Sequence, residues 1–151
     1  MADFIYDLAR YRIWTQDLDL IVLPIKMMLV SPDYVPTRTH TTVDDGTITC
    51  PSEFEVTGTG YVSGFGGSGR KLLANKSFVN DTTGHKTRFF FDTLSWTGLN
   101  VGLVGGAILI TEEGTSDLTA QLIAYRSSGG FPQDLLGDEL QLMLDPELGF
   151  F

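Results

Sequence analysis

Gly64-Phe-Gly66-Gly-Ser-Gly69 spells G-x-G-x-x-G. That loop cradles a dinucleotide pyrophosphate when it joins a strand to a helix, with an acidic residue about 20 positions on. Here the chain continues Arg70-Lys-Leu-Leu-Ala-Asn-Lys-Ser-Phe-Val79, which alternates as a strand, and Asp92 falls in the next β segment. Arg70 directly after the glycines also breaks the P-loop spelling. A flexible inserted loop is expected, not a nucleotide site. His40, Asp44, Asp45 and His85 match no metal-ligand spacing, and Asp44-Asp45-Gly46 lacks the third acidic position and closing Glu of a calcium loop. A nucleophilic Cys50 would need a histidine base held by an orienting group, yet it precedes Pro51 in a loop and only two histidines exist. Neither cofactor, metal nor catalytic residue is expected.

The carboxylate pairs Glu112-Glu113 and Asp138-Glu139, with Asp145 and Glu147, sit at turns and ends and read as solvated surface. Asn75-Lys-Ser and Asn80-Asp-Thr spell glycosylation sites, discounted without a secretory leader. Asp3 and Asp7 occupy the place of a basic n-region, so none is expected. With a single cysteine, no intrachain disulfide can form. A soluble chain made in a reducing compartment is expected. Its longest apolar stretch, 20–30, is broken by Pro24 and Lys26, so no membrane span is expected.

The aromatic residues are the groups that could make contacts instead of chemistry. Phe4, Tyr6, Tyr11 and Trp14 are scattered around a short N-terminal wheel. Tyr34 lies in a proline-rich loop, and Phe150 and Phe151 end the chain. These seven are the candidate assembly contacts. A net charge of −9 disfavours nucleic acid. Residues 101–151 carry most of it, with one arginine against eight carboxylates.

The elements that must position these groups are mostly β. The 151 residues suffice for one domain. Gly at 17 of 151 favours turns over long helices. Residues 1–19 form an N-terminal helix or arm, with Asp3 as a plausible N-cap. A single β-sandwich domain spans 20–145, and 146–151 form an apolar C-terminal tail. Strands are expected at 20–30, 70–80, 86–92, 103–111, 118–126 and 139–145. Asp81-Thr-Thr-Gly84 turns a hairpin, and 31–53 forms a long loop or arm. The fold class is mainly β: an antiparallel β-sandwich or barrel-like domain with a short N-terminal helix and extended arms. Its core is expected from Phe89, Phe91, Leu94, Trp96, Ile108, Ile110, Leu122 and Ala124.

The opening Met1-Ala-Asp-Phe-Ile-Tyr-Asp-Leu-Ala-Arg10 is followed in order by several further signatures. They are Ile25-Lys-Met-Met-Leu-Val-Ser, Tyr34-Val-Pro-Thr-Arg-Thr-His40, Glu55-Val-Thr-Gly-Thr-Gly-Tyr61, Leu72-Leu-Ala-Asn-Lys-Ser-Phe-Val, Arg88-Phe-Phe-Phe-Asp92, Leu94-Ser-Trp96 and Leu122-Ile-Ala-Tyr125. This series resembles small tailed-bacteriophage virion structural proteins of the capsid decoration (cement or head-spike) type. Gly64 to Gly69 stands as an insertion in that pattern. The resemblance implies a β-sandwich, non-enzymatic virion component, assembled in the bacterial host cytoplasm. Its expected partners are itself, as a homo-oligomer such as a trimer, and the major capsid protein. The alternatives are a tail, neck or fibre-attachment protein, or a carbohydrate-binding module stacking sugars on Trp14, Tyr61 or Trp96.

Overall fold

The computed structural model describes residues 3–142. The fold is mainly β, with antiparallel sheets and one short helix, and the sheets do not close into a barrel. Strand β1 (Phe4–Ile5) leads into helix α1 (Asp7–Trp14). Strands β2 (Lys26–Val30), β3 (Lys71–Leu72), β4 (Ser77–Asp81) and β5 (Lys86–Phe90) follow. The chain continues through β6 (Leu94–Val104), β7 (Gly106–Thr111), β8 (Gln121–Arg126) and β9 (Gln133–Leu142).

The main sheet has the order β1-β8-β7-β2-β3. Its central strand β7, Gly-Ala-Ile-Leu-Ile-Thr, is buried at every position, as a uniformly apolar run requires when both faces are covered. Pairing of Met28 with Ile108 and of Leu109 with Ala124 sets the register on either side. Strands β4 and β5 form the hairpin expected around the 81–84 turn, where Asp81 accepts the N–H groups of Thr83 and Gly84. Strands β6 and β9 form a second two-stranded sheet, bent by register shifts between Trp96 and Gly102. All three sheets feed one core, which includes each of the eight residues expected there.

Several boundaries differ from expectation. The stretch 20–30 is a strand only from Lys26, because 20–23 turn, with the Leu23 N–H on the Asp19 carbonyl, and 118–126 is one only from Gln121, because Thr119 and Ala120 donate to the Ser116 carbonyl in a turn. The second arm of the hairpin ends at Phe90, short of 92. The stretch 70–80 divides at Asn75, whose φ of +53° turns the chain between β3 and β4. The apolar run 103–111 divides at Gly105, whose N–H donates to the Val30 carbonyl. The last strand begins at Gln133, well before 139, because its alternation is interrupted by Gly137.

The loop 31–53 does not reach away as an arm. Tyr34, Val43 and Cys50 are buried, and the Val43 N–H donates to the Ala120 carbonyl, which folds the loop back over the body. Asp3 does not cap α1. It accepts the N–H groups of Ser127 and Ser128, and Tyr6 holds the N-cap position. Arg12 ties α1 to the body through Glu113 and Gln121, and Ala9 is its buried contact. Past the helix, Gln16 at φ +63° reverses the chain, so that Leu18 and Leu20 enter the core.

Candidate functional site

Among the described residues, Arg70 is the most enclosed charge, its side chain fully buried. Its Nε and Nη2 donate to the two oxygens of Glu55 at 2.8 and 2.6 Å. Nη1 and Nη2 donate to the two oxygens of Asp117 at 2.6 and 2.9 Å, and Nη1 also reaches Glu112 at 3.1 Å. Five N–H groups thus meet five acceptors, the full capacity of a guanidinium. Lys26 adds a second cation, 2.6 Å from Glu112. Burial pushes the Glu112 carboxyl up, but Lys26, the Gly66 N–H and Arg70 together hold it below its ordinary value. Burial likewise opposes the Arg70 charge, and Glu55 and Asp117 overcome it.

This cluster organises the glycine run. Glu55 accepts the Gly64 N–H and Glu112 the Gly66 N–H, both at about 3 Å. The Gly69 carbonyl takes the indole N–H of Trp96 at 2.6 Å. A Cβ on Gly69 would lie 2.5 Å from the Tyr61 ring, so only glycine lets that ring pack against the backbone. The expectation of a flexible inserted loop is corrected: carboxylates tie its backbone to the body. Glu112 is likewise not solvated surface, because it closes the ion cluster. Every donor of Arg70 is already taken within the chain, which makes the cluster a clasp between the loop 55–70 and the turn 112–117.

The candidate contact residues fall into two groups. Phe4, Tyr6 and Tyr34 come together around Tyr125, with ring centroids 5.1 to 5.7 Å apart. Tyr6 and Tyr34 are buried and share a hydroxyl hydrogen bond of 2.9 Å, and Tyr34 also meets His40 Nδ1 at 3.2 Å. Burial raises the Tyr6 hydroxyl far above its ordinary value. As assembly contacts Tyr6 and Tyr34 are therefore corrected: their own domain already covers them. Phe4 is half-buried under the Arg38 guanidinium. Tyr11 and Trp14 form the second group, exposed together on the outer face of α1. Phe150 and Phe151, with the tail 146–151, lie outside the described residues.

Tyr61 and Trp96, expected as sugar platforms in the carbohydrate-binding alternative, are buried, which leaves only Trp14 of that trio at the surface. Sequence reasoning missed the Arg70 clasp altogether. Its acceptors come from two segments more than forty residues apart in the chain, so no spacing announces them. The one local signal is a lone arginine placed between a glycine run and an apolar strand.

No family model, characterised protein sequence or solved structure matches the chain.

Proposed function

We propose that this chain is a structural subunit of a tailed-bacteriophage virion, a capsid decoration protein that binds the outer head lattice and stabilises it. The observation that carries the reading is the aromatic pair Tyr11 and Trp14, uncovered on a helix whose inner side is fastened to a rigid body. Large aromatic groups are the usual anchors of protein interfaces. Leaving them in water forgoes about 1.5–3 kcal/mol each. The ordered strand signatures resembling virion proteins support the same reading, and so does a body whose buried ions serve to hold loops in place.

On this reading the chain performs no reaction. Its partners are sister subunits and the major capsid protein, and it resides on the virion after assembly in the host cytoplasm. The negative charge keeps free subunits soluble before they meet the shell. The test is the stoichiometry of the chain in purified particles, with binding of the purified protein to heads that lack it. Hundreds of copies and saturable head binding are expected. A handful of copies, with no head binding, would move the chain to a tail, neck or fibre-attachment role.

A further inference from the structure

The glycine run is pinned at its ends and tied in its middle. Tyr61 before it and Gly69 after it are buried, and the Gly69 N–H closes the neck on the Val62 carbonyl. Between them Ser63, Phe65, Gly66 and Ser68 are exposed. Two bonds shape the turns of this segment: the Gly67 N–H donates to the Gly64 carbonyl, and the Arg70 N–H to the Gly67 carbonyl. Among the described residues, only two further hydrogen bonds join 63–68 to the body. The Gly64 N–H donates to Glu55 at 3.0 Å and the Gly66 N–H to Glu112 at 2.9 Å. Gly64 and Gly66 have φ of +89° and +73°, with open space where a Cβ would stand, so the segment carries its own hinges.

The two carboxylates are unequally held. Besides Gly64, Glu55 takes two donors of Arg70 and the Tyr61 hydroxyl. Glu112 takes one donor of Arg70, at 3.1 Å, together with Lys26 of β2 at 2.6 Å. Asp117 lies across Arg70, and the neighbouring Glu113 pairs with Arg12 of α1. Three carboxylates thus meet two cations in the clasp. A proton on Glu112 would balance the charges. It would also leave Arg70 its grip on both oxygens of Glu55 and both of Asp117. The clasp can therefore survive the loss of the one charge that holds Gly66.

We infer that residues 63–68 form an acid-released flap with Glu112 as its latch. Protonation of Glu112 replaces a charged acceptor by a neutral one about half as strong. The Gly66 N–H then lets go, and the flap swings on its glycines while the rest of the fold stays closed. Burial raises the Glu112 carboxyl, but Lys26, the Gly66 N–H and Arg70 outweigh it and hold the group below its ordinary value. The flap is therefore shut at neutral pH and opens as pH falls below the ordinary glutamate range, about 4.3. The latch sets how firmly Phe65, the single apolar side chain of the flap, is presented at the surface. It operates whatever the chain assembles with.

The test is amide hydrogen exchange on the full chain from neutral pH to about 3.5, each rate corrected for the intrinsic chemical rate at that pH. Gly66 should lose protection roughly tenfold as Glu112 takes its proton. Leu109, in the central strand β7 and paired on both sides, should keep its own. Glu112→Gln should free Gly66 by the same factor already at neutral pH. Asp117→Asn removes a charge from the same clasp, but that side chain holds Arg70 and no N–H of the flap, so Gly66 should exchange as in wild type. Gly66 protection that is absent at neutral pH, that persists through the acid range, or that is lost only together with Leu109 would each overturn the inference. So would an Asp117→Asn variant that frees Gly66 as fully as Glu112→Gln does. Should Glu112→Gln fail to fold, the wild-type pH series decides alone.

Discussion

Arg70 shows how one side chain can hold several loops in place. Removing it would leave Glu55, Glu112 and Asp117 charged, close together and largely out of water. Breaking a buried pair in this way costs about 3–5 kcal/mol, far more than the pair contributes over an apolar isostere. Arg70→Met should therefore lower the urea midpoint by the equivalent of ~3–5 kcal/mol, a large share of a small domain's ~5–15 kcal/mol. A midpoint within experimental error of wild type would mean that the clasp is redundant. Trp96 offers a finer test, because it both packs in the core and donates to the Gly69 carbonyl. Trp96→Ala should cost ~3–5 kcal/mol. Trp96→Phe keeps a ring but strands the carbonyl, and should cost ~1–3 kcal/mol. A Trp96→Phe variant as stable as wild type would show that the hydrogen bond carries no weight.

Among the elements, the contact of the segment 58–61 with β6 is tightly drawn. Gly58 has φ +151°, and a Cβ there would stand 2.3 Å from the Asn100 carbonyl. The Asn100 N–H donates to the Thr59 carbonyl at 2.9 Å across the same contact. Gly58→Ala should push the segment off β6, cost ~1–3 kcal/mol, and speed hydrogen exchange at the Asn100 amide. Unchanged protection there would show that the contact yields without breaking. Which elements the sequence revealed follows from how local their signals are. The β4–β5 hairpin was legible because its turn residues and alternation lie within fifteen positions of one another. The buried run of β7 was legible because covering both faces of a strand demands uninterrupted apolar residues. The β6–β9 pairing was not, since its bulges interrupt the alternation that marks a strand. Nor was the inward turn of loop 31–53, because Tyr34, Val43 and Cys50 are isolated anchors without a period. At the candidate surface, Tyr11 and Trp14 were named from sequence, but their separation from Tyr6 required knowing that β1 pairs with β8.

For the whole molecule, the ion clasp links stability to pH. Glu112 is held below its ordinary value in the fold. Such a group stabilises the native state above the ordinary glutamate range near 4.3, and that contribution is lost as pH falls through its lowered value. Urea midpoints should thus hold steady from neutral pH to about 5 and fall below that. A midpoint that stays flat into stronger acid would show that the carboxylate is not coupled to folding. The strand order has a different consequence, concerning the time at which the fold can be completed. Phe4 pairs with Tyr125, and Lys26 pairs with Ile110. During translation, at ~5–20 residues per second, the first two strands therefore leave the ribosome long before their neighbours exist. Among the described strands, only the consecutive pairs β4–β5 and β7–β8 can form from what has just been made. The main sheet must wait for β7 and β8, and then close around segments that have stood in water for most of the synthesis. Non-local pairing of this kind folds slowly, and the nascent apolar strand β2 is the segment that a chaperone would have most reason to shield.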